Sequence, residues 1–163
     1  MKTNKIKLFV CVLFVLGIAS CDSKRVYDSY VSVSDQLWST ESPLEFTFHV
    51  SDTIQKNNLF INVRNNEKYA FSNLFLITAL NFPNGKKIVD TLEYEMTDVQ
   101  GRFLGEGITS LKENKLFYKE NVVFPSSGDY SISIYHAMRK NGDIDGLSTL
   151  DGISEVGFRI EKN

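Results

Sequence analysis

The chain has 163 residues, 42% of them hydrophobic and 12% aromatic, with 20 acidic against 18 basic side chains. That length fits about one domain, and the apolar content is enough to build one core. The slightly acidic balance offers no electrostatic footprint for nucleic acid, and both cysteines fall within the first 21 residues, which leaves the body of the chain without a disulfide framework.

The first element in chain order is a leader. Lys2, Lys5 and Lys7 precede an apolar run from Leu8 to Ala19, the layout of a secretory signal peptide. The run falls short of the roughly 17–25 apolar residues of a spanning helix. Ile18-Ala19-Ser20-Cys21 reads as a bacterial lipobox, which predicts a signal peptide over residues 1–20 and acylation of the Cys21 thiol. The alternative is an ordinary signal peptide whose cleavage falls beside a cysteine. Maturation at Cys21 leaves 143 residues with 15 basic against 20 acidic side chains, a balance of −5. No thiol then remains for a metal site or a nucleophile. Residues 21–25 form the lipidated cysteine and its tether, and four extended residues reach about 14 Å. The domain at 26–163 is therefore expected to sit close to the headgroups, with Lys24 and Arg25 facing them.

From Val26 onward the dominant period is two, the mark of strands. Tyr27, Val31 and Val33 alternate with Asp28, Ser32 and Ser34. Leu44, Phe46, Phe48 and Val50 alternate with Glu45, Thr47 and His49, and Leu59, Ile61 and Val63 repeat the pattern. Leu74 to Leu80 is apolar on both phases, which predicts a central strand covered on both faces. Phe82-Pro83-Asn84-Gly85 is a hairpin signal, because Pro presets one turn residue and Asn-Gly tolerates positive φ. Ile88, Asp90, Leu92, Tyr94 and Met96 share one face of the return strand. Asp98 to Gly107 is a glycine-punctuated loop whose spacing matches no nucleotide cradle. Ser110 with Glu113 is positioned to cap one helical turn. Leu116, Tyr118, Val122 and Phe124 form a further strand, Tyr130 to Met138 another, and Val156 to Ile160 a last one. Eight or nine short strands predict an all-β fold, an antiparallel β-sandwich of Greek-key or Ig-like kind with one core. Gly128-Asp129-Tyr130 resembles the tyrosine corner of such sandwiches.

Catalytic patterns are absent: there is no Gly-x-Ser-x-Gly elbow and no free cysteine in the mature chain. His49 lies on a polar strand face and reads as a solvated surface histidine. His136 and Asp90 fall on inward phases, which points to a buried hydrogen-bonded pair or to two strand ends where alternation breaks. Asn141, Asp143 and Asp145 match the first half of a calcium loop, but position twelve is Gly152 instead of glutamate, so a flexible acidic turn competes with calcium binding. No other cofactor is expected. Arg64, Asn65, Asn66, Tyr69 and Asn73 form a polar patch between two strands, a candidate surface for a protein partner or simply a solvated turn. Trp38 joins them as a candidate contact and is the best aromatic platform for a sugar. Asp52-Thr53-Ile54 and Asp90-Thr91-Leu92 fit the three-residue acceptor pattern of periplasmic O-glycosylation.

Several segments together carry a resemblance. Tyr27-Asp28-Ser29-Tyr30, Trp38, Leu59 to Asn66, Tyr69, Ser72-Asn73-Leu74, Asp90-Thr91-Leu92, Gly101 to Gly107, Gly128-Asp129-Tyr130, His136 to Arg139 and Gly152 to Gly157 resemble the gliding-motility lipoprotein GldH family of Bacteroidota. Phe103 stands where the family pattern has tryptophan and Ala70 where it has proline. The segment from Lys140 to Asp151 is longer than the family's compact loop, so a calcium role there would be peculiar to this chain.

The resemblance implies a non-enzymatic envelope lipoprotein that works beside other gliding and type IX secretion lipoproteins. Asp22-Ser23-Lys24-Arg25 lacks the acidic cluster tied to surface export, which favours an outer-membrane anchor facing the periplasm. A carbohydrate-binding module is the alternative, resting on Trp38. An enzyme would rest only on scattered carboxylates.

Overall fold

The computed structural model describes residues 22–163, so the predicted leader and Cys21 lie outside the described residues. Ten strands run β1 (Arg25–Ser32), β2 (Leu37–Ser39), β3 (Leu44–Val50), β4 (Asn57–Asn65), β5 (Asn73–Asn81), β6 (Lys87–Glu95), β7 (Lys112–Val122), β8 (Gly128–His136), β9 (Thr149–Asp151) and β10 (Ile153–Lys162). All described ladders are antiparallel. One sheet has the order β1-β10-β4-β7, the other β3-β8-β5-β6, and β2 pairs with β9 as a small third sheet.

The alternation seen in the sequence becomes the core between the two large sheets. Ile61 on β4 stands opposite Phe158 on β10, and the Phe158 ring meets Phe46 at 6.2 Å and Phe48 at 5.5 Å from the facing sheet. Leu76, Ile132 and Ile134 complete the apolar layer. Each side chain of this kind contributes roughly 1.5–3 kcal/mol on burial, so the fold needs no disulfide. The Tyr130 ring is buried and its hydroxyl donates to the Ser126 carbonyl at 2.8 Å, four residues upstream, which is the bonding expected of a tyrosine corner. The β5–β6 hairpin closes where predicted, with the Gly85 N–H donating to the Phe82 carbonyl at 3.0 Å.

Two expectations fail here. The β5 strand is central and its Leu74, Leu76, Thr78 and Leu80 phase lies in the core, but on the other phase only Ala79 is fully buried and Phe75 and Ile77 are partly buried. On that phase Tyr135 and Thr91 flank Ile77 in register. The Ser110–Glu113 helical turn does not form either. Glu113 is already inside β7, and its N–H and carbonyl bond reciprocally to Glu106 at 2.8 Å each. Pairing across the loop satisfies the groups a cap would have served.

Strand β10 enters its ladder beside Gly152. The Gly152 carbonyl accepts the Asn66 N–H at 2.9 Å, and its own N–H donates to the Gln36 carbonyl at 3.0 Å. Its φ is +84°, and an added Cβ would stand 2.2 Å from the Tyr69 nitrogen. Only glycine fits this approach. Asp35 and Gln36, in the short 3-10 turn Ser34–Gln36, also hold positive φ values of 54° and 60°, strain that the surrounding bonds must overcome.

Candidate docking face

The polar patch read from the sequence is divided by the fold. Arg64 lies on the outer face of the β1-β10-β4-β7 sheet, whereas Asn65 and Tyr69 turn inward. The Asn65 side-chain carbonyl accepts from Asn114 Nδ2 at 2.8 Å, and the Tyr69 hydroxyl donates to the Asn73 carbonyl at 2.6 Å. Burial pushes the Tyr69 phenol up from its ordinary range. Asn66 stays half-exposed and ties Gln36 to the turn through its Nδ2, at 2.6 Å from Gln36 Oε1. Asn73 donates to Glu93 at 3.0 Å at the surface of the other sheet. These residues therefore do not form one patch.

Trp38 is the plainest correction. It is 1% exposed, in the core, with its ring 5.5 Å from the His136 ring in an edge-on arrangement. Its place beside β9 takes it out of solvent, so it offers no platform to a sugar or a partner. Of the two readings for Asp90 and His136, the hydrogen-bonded pair does not form. Both residues do face inward, but Asp90 Oδ2 accepts from the Tyr118 hydroxyl at 2.7 Å and pairs with Lys119 Nζ at 2.9 Å. Burial raises the Asp90 carboxyl, and the bonds from Tyr118 and Lys119 more than offset this, leaving it below the usual range. His136 is buried without a well-formed hydrogen bond on either nitrogen, and desolvation holds it below 6.5. His49 is a surface histidine, paired with Asp129 at 2.7 Å. Asp143 and Asp145 are exposed, and among the described residues no group of three His, Cys, Asp or Glu side chains is placed to hold a metal ion. Thr53 sits in an exposed loop, whereas Thr91 lies within β6.

Sequence reasoning missed the network around Arg64. Tyr30 on β1 lies over Gly157 on β10, accepts from Asn62 Nδ2 on β4 at 2.8 Å, and donates to Glu113 Oε1 on β7 at 2.7 Å. Bonds to one side chain thus tie all four strands of the sheet together. Arg64 sits 4.5 Å above the same ring, with Nε 3.0 Å from Glu113 Oε2 and Nη1 bonded to Glu155. Burial first, and then the Glu113 carboxylate, push the Tyr30 phenol up to about 12. The bond to Glu155 raises the Arg64 guanidinium above its ordinary value.

A second cluster continues along the face. Arg159 holds Glu161 and Asp28, each at 2.6 Å, together with Asp22 of the tether. Its burial works against the charge, and the three carboxylates outweigh that. Lys115 reaches Glu161 at 2.7 Å and stands 4.1 Å from the Phe60 ring, which packs edge-on to Phe117 at 5.7 Å. Five carboxylates and three cations are thereby held in fixed positions, an acidic excess on a flat, pre-ordered surface. A face ordered in advance costs less side-chain entropy on docking. The sequence signal was available in principle: Gly157 opposite an aromatic, with Arg, Glu and Asn on the polar phases of neighbouring strands.

The family model described as GldH lipoprotein matches residues 25–160. A protein named Gliding motility lipoprotein GldH homolog, from Christiangramia forsetii, is 51% identical over 156 residues, 96% of this chain and 95% of that protein. Gliding motility lipoprotein GldH of Flavobacterium johnsoniae is 46% identical over 153 residues, 94% of each chain. Among solved structures, a carbohydrate-binding module specific for non-crystalline cellulose is similar with a TM-score of 0.44 at 8% identity, over 83% of this chain and 73% of that one. The VP2 subviral particle protein of infectious bursal disease virus gives 0.41 at 14% identity, over 86% of this chain and 33% of that one. On the family match and the near end-to-end relatives, the chain belongs to the GldH lipoprotein family.

Proposed function

We propose that this protein is a lipid-anchored, non-enzymatic subunit of a gliding-motility apparatus, acting through the outer face of the β1-β10-β4-β7 sheet. The observation that carries the reading is the family membership of nearly the whole chain, and the pre-ordered polar face around Arg64 supplies the surface. Cys21 carries the lipid in this reading, and Asp22 is the first residue held by the domain, through Arg159. The anchor then leaves the domain with almost no slack. That geometry supports a domain lying close against the membrane that holds the anchor; in our reading this is the periplasmic surface of the outer membrane, with other gliding and type IX secretion lipoproteins as partners. Arg64 is the centre of the docking face, with Asn66 and Asn73 outside it.

Complementation tests the proposal. A Flavobacterium johnsoniae strain lacking its own relative should recover surface spreading with this chain and fail to do so with Cys21→Ala. Spreading restored by a non-acylated chain would overturn the anchored reading. Restoration by Arg64→Ala at full strength would remove the proposed docking centre.

A further inference from the structure

We infer that the protein shelters an acyl chain of its own anchor in a cavity between the edge strands β1 and β3, a proposal that rests on acylation of Cys21. The cavity measures about 330 Å³, within the size range of ligand pockets; Val26, Tyr27, Phe48, Val50, Phe124 and Ile160 form its apolar wall, and the exposed His49, Ser51, Asp52 and Lys162 line it as well. Its one buried polar feature is Asn57, which lines it at 4% exposure with Oδ1 unpartnered, while its Nδ2 donates to the Gln55 carbonyl at 2.9 Å. The six apolar side chains on its wall suit a hydrocarbon chain.

The position of the cavity names the source of that chain. Val26 and Tyr27 line it, and only residues 22–25 separate them from Cys21. Four such residues reach at most about 14 Å, and Asp22 is held back by Arg159. Exposed cations surround the same end of the sandwich: Lys24, Arg25, Lys56 and Lys162. The Lys162 N–H bonds the Lys24 carbonyl at 2.8 Å, and the Asn163 N–H bonds the Lys56 carbonyl at 3.0 Å. None of the four cations has an ion-pair partner among the described residues. Basic residues at this end attract anionic headgroups, so the mouth of the cavity and the anchor face the same lipid surface.

Photocrosslinking tests the inference on the full chain. The protein is expressed in a bacterial host that acylates lipoproteins, fed a diazirine fatty acid, irradiated in its membranes and digested for mass spectrometry. The expected product joins the acylated Cys21 peptide to a peptide containing Tyr27, Phe48, Asn57 or Phe124. Val26→Trp, at a position 50% exposed on the rim, should leave the fold intact and lower that yield several-fold. An acylated Cys21 peptide with no crosslink in the cavity overturns the inference and leaves the lipoprotein reading standing. Cavity adducts of free phospholipid in place of the Cys21 peptide overturn the tethered source. A Cys21 peptide without acyl mass overturns both readings.

Discussion

The Tyr30 ring rests directly on Gly157: a Cβ built at Gly157 would stand 2.8 Å from Tyr30 Cε1. The glycine is what lets a β1 side chain cross β10 and reach Asn62 and Glu113. Gly157→Ala should therefore displace the ring, break both hydrogen bonds and cost about 1–3 kcal/mol. Tyr30→Phe, which removes only the hydroxyl, should cost about 1 kcal/mol. In a Tyr30→Ala background, Gly157→Ala should cost much less. A double-mutant cycle by urea unfolding reads this coupling directly, and additive effects would refute it.

The core position of Trp38 predicts a stability phenotype. Trp38→Ala should lower unfolding free energy by about 3–5 kcal/mol, the usual loss for a buried aromatic. The alternative of a surface platform predicts unchanged melting with lost glycan retention. Calorimetry separates them.

His136 gives the fold a pH dependence with a definite sign. Burial lowers the folded-state value below 6.5, while proximity to the Trp38 backbone works in the opposite direction. In acid the unfolded chain takes up the proton first, so it binds more protons than the folded chain. Stability is then full above about 6.5 and declines as pH falls from there toward the lowered folded value. The lowered carboxyls, Asp90 and Glu161 among them, begin to lose their contribution only below their ordinary 3.8 and 4.5. His136→Phe should flatten the melting-temperature profile in the window just below about pH 6.5 and leave the steeper acid limb. An unchanged profile would show that His136 does not titrate in that window.

Gly152→Ala places a methyl against the Tyr69 backbone and holds alanine at positive φ. It should destabilise by about 3 kcal/mol or more. Gly85→Ala is the control: its φ is +82° but nothing lies within 4 Å, so only the conformational cost of about 1 kcal/mol remains. Equal losses at the two sites would mean that the close approach is not what fixes Gly152.

Much of the sandwich was legible because burial on one face imposes period two. Leu44, Phe46, Phe48 and Val50 read inward in the sequence and are buried in the fold. Trp38 was not legible in the same way: it sits on a three-residue strand with no periodicity to assign its face. Leu74 to Leu80 misled in part: its second phase is apolar, yet only Ala79 on it is fully buried, while Phe75 and Ile77 are partly buried. The Tyr30–Arg64 network depends on register between strands far apart in sequence, with Tyr30 and Glu113 separated by 83 residues. Local spacing carries no record of such pairing. Arg64 was singled out, but its partners on β1, β7 and β10 came only with the topology.

The central claim is that the anchored chain docks a partner through the face around Arg64, and purification from gently solubilised membranes tests it most directly. Arg64 is partly exposed, so Arg64→Ala should cost only about 1 kcal/mol of stability and leave a folded protein. The account predicts that wild-type chain recovers gliding lipoproteins and that Arg64→Ala, equally folded and equally acylated, loses them. Equal recovery by both would contradict it.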